Sequence, residues 1–187
     1  MQKYQLTDGG ILFYDGSFFS SIISDQYFYE IIGYSSWKQK PGVFGHLQPR
    51  LTAAYGDDGK NYCYSGTQNM ALPWTSTLLQ IKKNVEAVLG CYNFCLLNRY
   101  RSGADSISLH SDNERDLGNI ISTISLGATR KFKIKHNETK ETKEFLVSND
   151  TLIIMAGTMQ RFWKHEILKT KEVVGERISL TFRQLEV

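Results

Sequence analysis

The chain has 187 residues, of which 41% are apolar, 22% charged and 12% aromatic. This composition is that of a single globular domain, and it excludes a disordered chain, a collagen and a coiled coil. Lysine and arginine exceed aspartate and glutamate by 22 to 19, and the resulting net charge of +3 does not by itself establish a polyanionic partner.

Three cysteines, Cys63, Cys91 and Cys95, lack the spacing of a disulfide framework or a zinc site. They indicate a reducing compartment, so we expect an intracellular protein, nuclear if the source is eukaryotic and cytoplasmic if it is bacterial or viral. No run of apolar residues reaches the length of about 20 that a membrane span needs, and the polar N-terminus is unlike a secretory signal. We expect a monomer without membrane association.

Two helices are predicted in the first half of the chain. The first has Ser17 or Ser20 as its N-cap and ends at Gly33. Pro73 suits the first turn of the second helix, which ends near Gly90. Apolar residues at helical spacing support both helices, namely Ile22, Ile23, Phe28, Ile31 and Ile32 in the first and Trp74, Leu78, Ile81, Val85 and Val88 in the second.

From Asn93 onward the apolar pattern shortens to strand length. In 129–135, Phe132 and Ile134 alternate with lysines, which gives the strand one apolar and one basic face. Many short strands after two helices predict an α+β fold, in which helices pack on one side of a double-stranded β-helix (jelly roll). The predicted strands are 94–100, 106–110, 120–126, 129–135, 144–147, 151–155 and 177–182.

The segment LHSDNE contains the first candidate metal ligands. His110 and Asp112 are two residues apart, so on an extended strand both side chains leave the same face. His165, in FWKHEI, lies several strands later, where a sandwich would bring it back to this pair. Two imidazoles and one carboxylate leave open positions on an octahedral metal, an arrangement typical of non-haem Fe(II) oxygenases. The alternative for His-x-Asp alone is a surface pair or a hydrogen-bonded histidine.

The C-terminal segment RISLTFR contains the second candidate. Two inward-facing arginines are costly to bury without anionic partners. Because the arginine fork makes paired hydrogen bonds to carboxylates, this face favours a dicarboxylate such as 2-oxoglutarate. An edge strand with solvent-facing arginines is the alternative. The residues that share this face are Arg177, Ser179, Thr181 and Arg183.

Five segments in order resemble the AlkB family of Fe(II)- and 2-oxoglutarate-dependent dioxygenases: NRYRSGADSISLHSDNE, ISLGATRKF, DTLIIMAG, FWKHEI and RISLTFR. The resemblance covers nearly the whole chain. It implies that His110, Asp112 and His165 bind Fe(II) and that O2 and 2-oxoglutarate are cosubstrates. It further implies that 2-oxoglutarate is bound by Asn98, Tyr100, Arg177, Ser179 and Arg183.

Within that resemblance, the two arginines have different roles. Arg177 would bind the far carboxylate of 2-oxoglutarate with help from Tyr100, and Arg183 would lie nearer the metal and Asp112. Ser179 stands where many family members have asparagine, and it is shorter and lacks the amide.

The first half is most similar to the DNA-repair branch that acts on duplexes, in the segments PGVFGH, PRLTAAYGD and YCYSG. By that likeness Phe44 fills the gap left by an extruded base, Tyr62 and Tyr64 line the base pocket, and Glu114 contacts the base edge. The basic segment 130–143, which includes Arg130, would bind phosphates. We therefore expect one domain over 1–187, with helical support and nucleotide-recognition hairpins in 1–90 and the jelly-roll core in 91–187.

The implied function is oxidative demethylation of N-alkylated bases in DNA, of the 1-methyladenine and 3-methylcytosine type. The main alternatives are an RNA demethylase of the same family and a non-catalytic module that binds damaged DNA through its basic face. A protein or small-molecule hydroxylase, which would not need Phe44, and a structural jelly-roll protein, which would leave the inward arginines without partners, also stay open. The substrate residues also have simpler interpretations: Phe44 as a core residue, Tyr62 and Tyr64 as ordinary strand residues, and Glu114 as a partner of a nearby arginine.

Overall fold

The computed structural model describes residues 1–42, 45–64, 67–113 and 117–186, with the side chains of 61–69 outside that description. The helices are α1 Ser21–Tyr34, α2 Ser76–Glu86 and α3 Met159–Phe162. The strands are β1 Gln2–Gln5, β2 Gly10–Asp15, β3 Leu51–Gly56, β4 Asn61–Tyr64, β5 Thr67–Met70, β6 Leu72–Pro73, β7 Phe94–Tyr100, β8 Ile107–His110, β9 Ile121–Gly127, β10 Arg130–His136, β11 Thr142–Val147, β12 Thr151–Gly157, β13 Trp163–Ile167 and β14 Arg177–Arg183.

Two facing sheets form the body of the molecule. The larger, which we call the major sheet, has the order β1-β2-β12-β9-β14-β7-β3-β6, and the smaller, the minor sheet, has the order β11-β10-β13-β8. From β7 to β14 the chain passes repeatedly between them, as the predicted jelly roll requires. The strands β4 and β5 pair with each other outside both sheets.

The helices pack on one face of the major sheet, as predicted. Ile31 of α1 and Ile81 of α2 are fully buried against Ile178, Leu180 and Phe182 of β14. Burying a side chain of this size stabilises the fold by about 1.5–3 kcal/mol. The other face of β14 points toward the minor sheet, so the alternation predicted for RISLTFR places its arginines between the two sheets.

The first helix is capped as predicted, since the Ser20 hydroxyl accepts a hydrogen bond from the Ile23 amide at 3.4 Å. The start predicted for the second helix is wrong. Pro73 lies in β6, and the helix begins after Thr75, whose hydroxyl accepts from the Leu78 amide at 3.2 Å. Thr75 is therefore the N-cap, because its hydroxyl satisfies a first-turn amide that has no partner within the helix. The helix also ends at Glu86, one turn before Gly90.

Apart from the nucleotide-recognition hairpins, strands in the first half of the chain were not predicted from the sequence pattern. β1, β2 and β3 all belong to the major sheet, so part of the segment expected to be helical support builds the sheet itself. β3 contains Ala53 and Ala54, which have weak strand preference, and its pairing with β7 decides its conformation. Within the described part of the chain, no helix is long and apolar enough to cross a membrane.

Candidate functional site

Pairing of β8 with β13 brings the two predicted histidines together. His110 lies directly opposite His165, and the centroids of their rings are 4.2 Å apart. Asp112 follows two residues after the end of β8. One ligand atom from each of these three residues lies within 4.8 Å of the others, close enough for all three to bind a single ion.

The two carboxylate oxygens of Asp112 differ in their hydrogen bonding. Its side chain is buried, and Oδ2 accepts a hydrogen bond from Arg183 Nη2 at 2.8 Å. Oδ1 has no hydrogen-bond partner among the described residues and lies 3.9 Å from His110 Nε2. A buried acceptor without a donor is costly, and a cation between this oxygen and the two imidazoles would satisfy it.

The imidazole of His110 is oriented by its own strand. Its Nδ1 lies 2.7 Å from the carbonyl oxygen of Ser108, a distance at which the ring nitrogen donates to that oxygen. This hydrogen bond places the proton on Nδ1 and leaves the lone pair of Nε2 for a metal.

The charge state of the cluster also suits a cation. Burial and the neighbouring His110 ring lower the pKa of His165 to about 3, and burial lowers the pKa of His110 as well. Burial alone would raise the pKa of Asp112, but the Arg183 guanidinium and the two rings lower it to about 2. At neutral pH the cluster therefore has two neutral imidazoles and one carboxylate, the protonation states that bind metals.

Arg177 is the second buried cation of the site. Its Nε donates to Ser125 Oγ at 2.8 Å, and its guanidinium carbon lies 5.1 Å from the centroid of the Tyr100 ring. Burial lowers its pKa to about 10, which leaves it charged at neutral pH. Its Nη1 has no hydrogen-bond partner among the described residues, so an anion would satisfy this donor.

The remaining predicted cosubstrate residues lie beside these cations. The register of β7 and β14 places Tyr100 opposite Arg177 and Asn98 opposite Ser179. One cavity between the sheets is lined by the three candidate metal ligands and by all five predicted cosubstrate residues, Asn98, Tyr100, Arg177, Ser179 and Arg183. The cavity therefore combines a candidate metal site, formed by two imidazoles and a carboxylate, with an electropositive wall.

Arg50 lines the same cavity and was not predicted. It is buried, its Nε donates to Asn98 Oδ1 at 2.8 Å, and its Nη1 lies 3.5 Å from the carbonyl oxygen of Ser106. Arg50 immediately precedes β3 in the segment PRLTAAYGD, which supported the likeness to the DNA-repair branch without a role for this arginine. Because β3 itself was not predicted, the sequence offered no signal that this arginine faces the interior.

Arg130 requires a correction. It is buried, and its guanidinium donates to the carbonyl oxygens of Ser102 at 3.1 Å, Asp105 at 2.9 Å and Leu168 at 2.5 Å. Its guanidinium carbon lies 5.8 Å from the Tyr100 ring centroid. Since these donors bind main-chain carbonyls inside the protein, the phosphate contact predicted for Arg130 is wrong.

Four predicted substrate residues cannot be placed in the same way. Phe44 and Glu114 lie outside the described residues. Tyr62 and Tyr64 lie in β4, opposite Asn69 and Thr67 of β5, and their side chains are likewise outside the description.

Comparison with known proteins identifies the family. The family model of the 2OG-Fe(II) oxygenase superfamily matches residues 25–183. DNA oxidative demethylase ALKBH2 of Homo sapiens is 35% identical over 156 residues, which cover 76% of this chain and 60% of that protein. Alpha-ketoglutarate-dependent dioxygenase alkB homolog 3 of Bos taurus is 35% identical over 176 residues, which cover 86% of this chain and 61% of that protein. The chain thus spans about three fifths of the length of these relatives.

Two solved structures support the jelly-roll fold. OsALKBH1 has a TM-score of 0.64 and 17% identity, with 98% of this chain and 100% of that chain covered. A prolyl hydroxylase from Trichoplax adhaerens has a TM-score of 0.66 and 14% identity, with 94% and 83% covered. The family model and the curated relatives confirm the resemblance to AlkB proteins, and this family membership implies Fe(II), 2-oxoglutarate and O2. The chain belongs to the 2OG-Fe(II) oxygenase superfamily.

Proposed function

We propose that the protein removes N-linked methyl groups from bases in DNA by oxidation, acting on lesions of the 1-methyladenine and 3-methylcytosine type. The observation that carries this proposal is the orphaned Oδ1 of Asp112 beside two neutral imidazoles, in a cavity whose opposite wall holds Arg177 and Arg183. The relatives named DNA oxidative demethylases support the choice of substrate.

His110, Asp112 and His165 would hold Fe(II) through Nε2, Oδ1 and an imidazole nitrogen. Bound iron supplies the oxidising chemistry, in which O2 and 2-oxoglutarate give succinate, CO2 and a hydroxylated N-methyl group. The hydroxymethyl group then leaves as formaldehyde and restores the base. The contribution of the protein is to place the methyl carbon beside the metal and to keep water away from the buried cluster.

The electropositive wall would bind 2-oxoglutarate. Arg177 would pair with the far carboxylate, with Tyr100 beside it, because its Nη1 lacks a described partner. Arg183 already holds Asp112 and would neutralise charge nearer the metal. Asn98 and Ser179, opposite each other across β7 and β14, would complete the polar lining.

Phe44, Tyr62, Tyr64 and Glu114 remain our candidates for contact with the extruded nucleotide. In this proposal Phe44 fills the gap in the duplex, and the two tyrosines form one wall of a pocket for a flat base. The carboxylate of Glu114 would favour a cationic methylated base over its neutral parent.

Phosphate contacts would come from lysines on the outer face of the minor sheet, in place of Arg130. On this face Lys131 pairs with Glu144 and Lys133 pairs with Glu166, both at 3.6 Å. Lys135 lies directly opposite Lys164. Like charges facing each other across strands are destabilising unless an anion lies between or above them, so this lysine pair is the stronger candidate for a phosphate contact.

The test is methyl release from matched oligonucleotides. The protein with Fe(II) and 2-oxoglutarate is incubated with DNA and RNA that carry single methylated bases, and mass spectrometry measures methyl loss. We expect release from DNA, and we expect Asp112→Ala to lose at least about 100-fold in rate while binding DNA normally, because a metal ligand is removed and no phosphate contact is. Full turnover by Asp112→Ala, or none by the wild type on any oligonucleotide, would refute the proposal.

A further inference from the structure

The main chain of Asp112 is held by a side chain from a different part of the fold. Asp112 lies beyond the end of β8, so its amide has no partner in the sheet ladder. This amide donates to Oε1 of Gln160 at 2.9 Å. Gln160 belongs to α3, the single helical turn that connects β12 to β13. A buried amide that leaves a strand needs such an acceptor.

The orientation of the Gln160 amide follows from its two neighbours. The Asp112 amide is a donor, so the atom of Gln160 that faces it must be the oxygen. The nitrogen Nε2 then lies 3.5 Å from the sulfur of Met155, a weak acceptor. Both ends of the side-chain amide are therefore occupied, which fixes the acceptor in place.

Two contacts together determine where Asp112 points. Arg183 holds Oδ2 at 2.8 Å, and Gln160 holds the main-chain amide at 2.9 Å. With the residue fixed at both ends, Oδ1 is left facing the imidazoles. Loss of the contact to Gln160 would free the main chain of Asp112 to rotate, and Arg183 alone would no longer specify the direction of Oδ1.

Gln160 also lies five residues before His165 in the chain. The segment that follows α3 is β13, which presents His165 opposite His110. The hydrogen bond to Asp112 thus joins the segment that carries one predicted ligand to the segment that carries another.

We propose that Gln160 is a positioning residue that sets the divalent-metal affinity of the cluster by holding the main chain of Asp112. This inference rests on the proposed function for the identity of the metal ligands. Residues that orient metal ligands typically change metal affinity by about 10- to 100-fold when they are replaced. Gln160 does not touch the metal or the substrate in this scheme.

The test compares three variants by metal binding without any nucleic acid. Gln160→Leu keeps the size of the side chain but removes the acceptor, and we expect its affinity for Mn(II) to fall at least about 10-fold. Gln160→Glu retains an acceptor oxygen, and we expect its affinity to stay within about threefold of the wild type. Gln80→Ala, on the exposed side of α2, is the control and should bind as the wild type does.

A second measurement, the absorption of bound Co(II), distinguishes a change in ligand geometry from the effect of the negative charge that Gln160→Glu adds. The visible absorption of bound Co(II) depends on the arrangement of its ligands. Gln160→Glu should reproduce the wild-type band, whereas Gln160→Leu should shift or weaken it. Thermal unfolding measures whether each variant is folded, and Gln160→Ala replaces the leucine variant if that variant does not fold.

Two outcomes would overturn the inference. Wild-type Mn(II) affinity and Co(II) absorption in the variants that lack the acceptor would show that the hydrogen bond does not position Asp112. Equal losses in the leucine and glutamate variants would assign the effect to packing. Failure of the proposed function can be told apart from failure of this inference. If the protein demethylates no oligonucleotide, Gln160→Leu can still lower its affinity for Mn(II).

Discussion

Three buried arginines supply the positive charge of the cavity. Arg50, Arg177 and Arg183 all line one cavity and are nearly inaccessible to solvent. Arg183 is paired with Asp112, whereas Arg50 donates to the neutral Asn98. A desolvated guanidinium whose described contacts are neutral is stabilised by any anion that enters the cavity, which is why we expect Arg50 to influence cosubstrate binding.

We predict that Arg50→Leu raises the dissociation constant of 2-oxoglutarate by about 10-fold, because Asn98 loses its donor and the cavity loses a positive charge. Calorimetry with Mn(II) in place of Fe(II) and without nucleic acid measures this constant. Arg99→Leu is the matched control, since Arg99 lies beside Asn98 in the sequence but pairs with Glu176 at 2.8 Å, away from the cavity. Equal effects of both substitutions would contradict a specific role for Arg50.

Among the secondary-structure elements, the turn between β7 and β8 connects the two sheets next to the site. Asp105 in this turn is buried and accepts from the amide, Nε and Nη2 of Arg101 at 2.8–2.9 Å. The main-chain carbonyl of Asp105 accepts from Arg130. The turn thus connects Tyr100 on the major sheet with the start of β8, which leads to His110 on the minor sheet.

We predict that Asp105→Asn lowers the free energy of unfolding at pH 7 by about 1.5–3 kcal/mol, since it weakens three hydrogen bonds to a charged acceptor. Burial alone would raise the pKa of Asp105, but the hydrogen bonds to Arg101 lower it below 3.8. A lowered pKa stabilises the fold above about pH 3.8, and that stabilisation is lost as pH falls through the folded-state pKa.

The difference between wild type and Asp105→Asn should therefore be constant near neutral pH and shrink below about pH 3.8. Urea unfolding from pH 7 to pH 3 measures it, with the exposed Glu138→Gln as a control that should cost little at pH 7. A difference that does not change over this range would mean that the charge of Asp105 is not what stabilises the turn.

The outer face of the minor sheet is the feature that matters at the scale of the whole molecule. The histidines of the candidate metal site lie on the inner face of β8 and β13, and the lysines of β10 and β13 lie on the outer face. Lys135 and Lys164 form no ion pair with a described residue, in contrast to Lys131 and Lys133. A phosphate backbone that crosses this face would meet an uncompensated pair of charges.

We predict that the double substitution Lys135→Ala and Lys164→Ala weakens DNA binding and reduces the salt dependence of log K by about 2, one for each lost phosphate contact. Fluorescence anisotropy at several salt concentrations measures the slope. Lys131→Ala is the matched control and should change the slope little, because Glu144 already neutralises this lysine. An unchanged slope in the double variant would place the phosphate path elsewhere.

Local sequence patterns predict much of the fold and of the site. Strict alternation in RISLTFR predicts a strand with arginines on one face, and that arrangement is present because apolar residues must face the helices. His110 and Asp112 lie close together as predicted, although β8 ends at His110 and Asp112 lies beyond the strand. Repeating apolar spacing likewise predicts α1 and α2, although Thr75 rather than Pro73 decides where α2 begins.

Long-range pairing decided the rest. β3, with two alanines, carries a weak strand signal and forms because β7 supplies its hydrogen bonds, whereas β2 (GILFYD) is rich in strand-forming residues and its pairing with β1 and β12 decides its place in the sheet. The pairing of β3 with β7 brings Arg50 to Asn98, and the turn between β7 and β8 supplies main-chain carbonyls to Arg130 on the buried face of β10. Residue types and their spacing specify which chemistry the chain contains, but whether a charge is buried, and which partner it meets, depends on contacts between segments far apart in the sequence.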